Sequence, residues 1–163
     1  MKEIWELVLE DGKPSGRLYD RASGAPIPSW LYFKVVEVFV RVGEKMLITR
    51  RHPDKWQGLK WEASGGGVLY GESDRASAVR ELFEETGILA DQNSLLYLGR
   101  SIHGSAMVES FLLVLDELPE LKLQPSEVVG AMLVTRDELF DPSLELTRDT
   151  RRRCEIYKNE LFD

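Results

Sequence analysis

The sequence predicts one compact domain of mixed α and β structure, and three observations predict it. The chain has 163 residues, 43% apolar and 30% charged, the size and balance of one core-forming globular unit. Runs rich in β-branched and aromatic residues recur between Gly- and Pro-containing breaks, as strands do. One segment, Ser73 to Gly87, carries helical periodicity with a start signal and a stop signal at its two ends.

Taken in order, Glu3 to Leu9, a turn through Gly12 and Gly16, and Arg17-Leu18-Tyr19 predict an N-terminal hairpin, with residues 1–28 as hairpin and connection. Ala25-Pro26-Ile27-Pro28 breaks the chain before a strand predicted over Trp30 to Val42, and Gly43-Glu44 turns it into Lys45 to Thr49. From His52 to Gly71, Pro53, Gly58 and the triplet Gly65-Gly66-Gly67 argue for loops around a brief extended segment. The helix follows, with Ser73 as N-cap, Gly87 as C-terminal stop, and Ala76, Val79, Leu82, Phe83 and Thr86 at three- and four-residue steps. Leu95 to Leu98, Val108 to Leu115 and Val128 to Val134 read as further strands, Asp137 to Phe140 as a helical turn. Residues 147–162 read as an amphipathic closing helix with Cys154, Tyr157 and Leu161 on one face.

Composition narrows the function. Lys and Arg total 21 against 28 Asp and Glu, and a net charge of −7 opposes a long grip on a nucleic-acid backbone. No run reaches the roughly 20 apolar residues that span a bilayer, and the first residues lack the apolar core of a secretory signal, so a cytoplasmic location without membrane attachment is expected. The single cysteine, Cys154, forms no disulfide within the chain; it follows Arg151-Arg152-Arg153, but its place on the apolar helix face favours packing. His52 and His103 stand isolated, and no Cys/His spacing suggests zinc.

The chemistry concentrates on the central helix. Glu81, Glu84 and Glu85 stand at i, i+3 and i+4 and share one face, where like charges repel unless a cation lies between them. Oxygen-only ligands favour Mg²⁺ or Mn²⁺, and the glycine triplet lets backbone approach such an ion closely. The alternative, an ordinary solvated acidic face with Glu84 paired to Arg80, stays open at the level of these residues alone.

The full register decides more. Gly66, Glu72, Arg80-Glu81-Leu82, Glu84-Glu85 and Gly87-Ile88 fill nine fixed positions over residues 66–88, and Trp61 to Val68 forms the lead-in. This pattern resembles the Nudix box. The resemblance implies an α/β/α sandwich on a mixed sheet, with the box as a loop-helix-loop at its edge, and a hydrolase that cleaves the pyrophosphate bond of a nucleoside diphosphate linked to another moiety, or a similar small diphosphate, with Mg²⁺ or Mn²⁺. By motif position, Glu84 and Glu85 are implied metal ligands, Glu81 a ligand or general base, Arg80 an orienting group partnered by Glu72, and the Gly65 carbonyl a further ligand. Outside the box, Glu127 is the candidate for an additional base, with Glu109 as competitor, and Arg51 and Lys55, beside Arg50, are candidate phosphate-binding groups. Trp30, Trp56 and Trp61 are weighed as base-stacking groups and read as packing. A homodimer is a further expectation.

Two competing readings stay open at this point. The N-terminal part, Glu3 to Gly16, is similar to the isopentenyl-diphosphate-isomerase-like branch, whose members use an early cysteine that this chain lacks. A non-catalytic nucleotide-binding Nudix module is the other, and the intact carboxylate set argues against it.

Overall fold

The computed structural model describes residues 2–163; Met1, the first residue of the hairpin segment, lies outside the described residues. Strands β1 (Ile4–Val8) and β2 (Pro14–Asp20) form the predicted hairpin as a separate two-stranded sheet. It is tied to the main body through Val8 and Tyr32, which exchange backbone hydrogen bonds of 2.8 and 3.0 Å, and through Tyr70 N–H, which donates to the Ile4 carbonyl.

The central sheet holds β3 (Phe33–Val42), β4 (Lys45–Arg51), β5 (Trp61–Glu62), β6 (Ser64–Gly67), β7 (Leu96–His103), β8 (Ala106–Leu115) and β9 (Val128–Val134). It is mixed: β3 and β8 run parallel over ten register pairs, and the remaining pairings are antiparallel. Period-two alternation along β3 sends Val36, Val38 and Val40 to one face and Phe39 to the other. The first face packs on α1 (Asp74–Thr86) through Ala78 and Leu82. The second packs on α2 (Arg136–Leu139) and α3 (Arg148–Ile156) through Leu139, Cys154 and Tyr157. The α/β/α arrangement is the expected one.

One register detail positions everything that follows. Strand β3 pairs with β4 only over Val40 to Val42 and with β6 over Val35 to Val38. The sheet therefore splits beside β3, and residues of α1 on one face and α3 on the other reach the same gap.

Several expectations need correction. The strand expected from Trp30 starts at Phe33, leaving Trp30 exposed in a turn. The glycine triplet is not loop: Gly65, Gly66 and Gly67 lie within β6. The closing helix ends at Ile156, not 162, because Arg41 on β3 donates to the Leu161 and Asp163 carbonyls at 3.1 and 2.9 Å and draws the chain end onto the sheet. On α1 the inward residues are Ala78, Leu82, Glu85 and Thr86, while Phe83 is exposed.

Candidate active site

The split in the sheet opens into a cavity of about 540 Å³. Each element brings its side chains there for a local reason. Helix α1 begins where the Ser73 hydroxyl accepts from Ala76 N–H and ends at Gly87 in the left-handed region with φ 78°, so its last two turns face the gap. Glu81 and Glu85 turn inward, whereas the Glu84 side chain keeps 47% exposure at the mouth.

The glycines make room. A Cβ on Gly66 would lie 2.3 Å from the Glu81 carboxyl carbon, and one on Gly65 would lie 2.2 Å from the Val36 carbonyl. Glycine at these positions lets the carboxylate and the neighbouring strand close onto β6, and neither has a positive φ.

Arg80 sits among the acids as an organiser. Its Nε and Nη2 donate to Glu72 at 2.9 and 3.0 Å, its Nη1 donates to Glu81 at 2.8 Å and to Glu84 at 3.3 Å, and Nη2 also reaches the Gly67 carbonyl. Glu85 is different. It is 7% exposed, and its Oε2 is buried without a hydrogen-bond partner. Burial, with the Glu62 and Glu81 carboxylates beside it, pushes its carboxyl up to about 8. Glu81 and Glu62 are likewise raised, chiefly by burial.

The expected basic residues are here with partners of their own. Arg51 Nη1 donates to both oxygens of Glu62 at 2.8 Å, and Lys55 pairs with Glu127. The loop carrying Glu127 is laced to the end of α1, since Lys122 and Gln124 N–H groups donate to the Thr86 and Glu85 carbonyls. Gly65, Arg80, Glu81, Glu84, Glu85, Glu127, Arg51 and Lys55 thus all line one cavity.

Glu109 does not. It is buried among Tyr97 (2.6 Å), Arg100 (2.7 Å) and Lys34 (3.6 Å), beside a different surface hollow, and its oxygens are spent on those partners. Arg50 lies over the Trp61 ring, and Trp56 is exposed. Cys154 is buried in the α3 core, and burial pushes its thiol up to about 12, against the neighbouring arginines.

Sequence reasoning missed four contributors: Glu37 on β3, Glu62 on β5, Arg153 on α3, and Trp5 of the hairpin, which stacks on Phe33 at 4.8 Å with Arg21 over its ring. Glu37 carried a signal, an acid inside the apolar run Lys34 to Val42, because a carboxylate in a buried strand needs a cation facing it. The cavity lining holds seven carboxyl groups and five cations; with every carboxyl ionised, Glu85 included, the deficit is two charges, which one divalent ion balances. All of the acidic donors are oxygens, which suits a hard ion. Among the described residues no three acidic, histidine or cysteine side chains stand together closely enough to hold a metal ion by themselves, so such an ion would need the backbone, water or substrate oxygens as well.

The family model for the NUDIX domain matches residues 31–155, which include the whole acidic helix and both split strands. The chain belongs to the Nudix hydrolase family. An uncharacterised Nudix hydrolase of Listeria monocytogenes is 31% identical over 143 residues, 84% of this chain and 82% of that protein. A crystal structure from Deinococcus radiodurans has the same fold, with a TM-score of 0.78 at 20% identity, covering 94% of this chain and 98% of that one. A bifunctional NMN adenylyltransferase/ADP-ribose pyrophosphatase from Francisella tularensis, complexed with AMP and a manganese ion, matches at TM-score 0.66 and 20% identity, over 86% of this chain and 44% of that one. The Nudix match begins at Leu31, after the hairpin that supplies Trp5 to the cavity and the short turn behind it that supplies Arg21. Among the described residues no helix is long and apolar enough to cross a membrane.

Proposed function

We propose that this Nudix hydrolase cleaves the pyrophosphate bond of a nucleoside diphosphate linked to a second moiety, or of a similar small diphosphate, with Mg²⁺ or Mn²⁺. The observation that carries the reading is Glu85, a buried carboxylate with an unpartnered oxygen in a cavity short of two positive charges. A hard divalent ion suits that vacancy of charge. The Francisella neighbour, a bifunctional NMN adenylyltransferase/ADP-ribose pyrophosphatase complexed with AMP and a manganese ion, supports the substrate class.

In this reading Glu85 and Glu84, with the Gly65 carbonyl, would hold the ion, and Glu81 would complete the set or remove the proton of the attacking water. A bound ion supplies charge neutralisation on the phosphoryl oxygens and lowers the pKa of water. Arg80 holds Glu81 and Glu84 in register through its fork on Glu72. Lys55 and Arg51 stand at the cavity to meet phosphate oxygens, and Glu127 is positioned beside Lys55 as an additional base. Water attacks one phosphorus, the bridging P–O bond breaks, and the proton leaves to the base. The products are two phosphate-bearing fragments.

The test is a panel of ADP-ribose, sugar nucleotides, dinucleoside polyphosphates, nucleoside triphosphates and isopentenyl diphosphate, run with Mg²⁺ or Mn²⁺ in ¹⁸O-labelled water. The reading predicts one label in a phosphate-bearing product for at least one diphosphate, with turnover reduced on the order of 10²- to 10⁴-fold by Glu81→Gln. Conversion of isopentenyl diphosphate without phosphate release, or metal-dependent binding with no turnover, would replace the reading by the isomerase or the binding-module one.

A further inference from the structure

Each cation in the cavity is paired with a carboxylate, and two arginines are held through a single nitrogen: Arg21, 60% exposed, through Nη1 on Glu3, and Arg153, which is buried. Arg80 uses Nε and both terminal nitrogens on its neighbours, and Arg51 uses Nε on the Trp56 carbonyl and Nη1 on Glu62. Arg153 is held only by its Nε, which pairs with Glu37. Among the described residues no acceptor meets its Nη1 or Nη2, and the side chain lines the cavity. The side chain is nonetheless 11% exposed and is anchored on the carboxylate of a residue 3% exposed. A guanidinium fixed by one edge presents its remaining N–H groups as a rigid fork, the geometry that meets two phosphate oxygens at once.

The placement fits a second grip on a diphosphate. Glu37 stands one position along β3 from Val36, so it points to the α3 face of the sheet while Glu81 and Glu85 come from the α1 face. Glu37 is also the register partner of Gly65. Arg153 therefore approaches the gap from the side opposite the acidic helix, beside the glycine strand.

We propose that Arg153 is a substrate-contacting residue whose free fork binds the non-bridging oxygens of the diphosphate from the face opposite the carboxylate helix, with Glu37 as its positioning residue. The identity of the ligand rests on the diphosphate-hydrolase reading; the existence of a phosphate-binding fork on α3 does not require turnover. Neither residue belongs to the box.

The test is calorimetric binding of imidodiphosphate, whose bridging nitrogen resists hydrolysis, in the presence of Mg²⁺. Arg153→Lys keeps the charge and loses the fork. The double variant Glu37→Gln, Arg153→Met removes both buried charges together, so that no uncompensated carboxylate is left to unfold the protein. Both are expected to bind about tenfold more weakly than wild type or worse, the loss of charge-assisted hydrogen bonds. Glu37→Gln alone replaces the charged acceptor of Nε by a neutral one and loosens the fork, so it should bind about threefold more weakly than wild type, a smaller loss than that of Arg153→Lys. Affinity within about twofold of wild type in Arg153→Lys and the double variant overturns the proposal, as does failure of the wild type to bind imidodiphosphate. If no diphosphate in the panel is hydrolysed while affinity still depends on Arg153, the hydrolase reading fails and the phosphate fork stands.

Discussion

At the scale of single residues, the site depends on what glycine leaves out and on a carboxylate that the fold keeps dry. Gly66→Ala places a Cβ against the Glu81 carboxyl, the far end of a side chain, so the strand survives and the carboxylate moves. The expected result is a kcat loss on the order of 10²-fold, the cost of misplacing a catalytic group by about 1 Å, with little change in thermal midpoint. Equal losses in stability and kcat would place the effect in the fold instead. Glu85 sets a pH dependence. Its folded carboxyl lies near 8 and its unfolded value near 4.5, so between them the folded chain holds a proton that the unfolded chain has lost. The metal-free protein should lose stability as pH rises from about 4.5 to about 8, by up to a few kcal/mol, and level off above. Mg²⁺ displaces that proton and should remove the decline. Thermal melts at pH 5, 6.5 and 8, with chelator and with Mg²⁺, check both signs; a chelated protein that is more stable at pH 8 than at pH 5 contradicts the account.

At the scale of elements, the box helix is anchored at both ends, and each anchor has a separate consequence. Ser73→Ala removes the hydroxyl that accepts from Ala76 N–H and should cost about 1 kcal/mol in urea unfolding without changing kcat. Gly87→Ala meets a φ of 78° and the Lys122 backbone nitrogen at 3.1 Å, so it should cost more and also disturb the loop that carries Glu127. These caps, the strand Val128 to Val134 and the box register were legible in the sequence because each is a local signal, a cap, a run or a spacing. The extent of β7 was not, since Arg100, Ser101 and His103 hide a strand whose outer side faces water. The end of α3 was not either. It is set by Arg41 from a strand more than a hundred residues away.

For the whole molecule, the functional geometry comes from a strand that changes partner. Because β3 leaves β4 for β6, two helices on opposite faces share one cavity, and residues 37, 62, 85 and 153 become neighbours. Long-range convergence of this kind leaves no spacing to read. The box half of the site was visible as a motif, whereas Glu62, Arg153 and Trp5 shared no pattern with it, and Glu37, odd as an acid in an apolar run, gained its partner only once the sheet was folded. Glu109 shows the converse: it was the competitor of Glu127 for the additional base, but its register on β8 points it to Tyr97 and Arg100. The central claim is that a divalent ion held on the acidic helix drives pyrophosphate cleavage in this split. The measurement that tests it most directly is phosphate-bond hydrolysis of the best panel substrate across a Mg²⁺ titration from full chelation upward, for wild type and Glu85→Gln in parallel. The account predicts no turnover under chelation, saturable activation of the wild type, and a variant whose maximal rate is lower by about 10²-fold or more. Turnover that persists under chelation, or a Glu85→Gln titration that overlays the wild type, would contradict it.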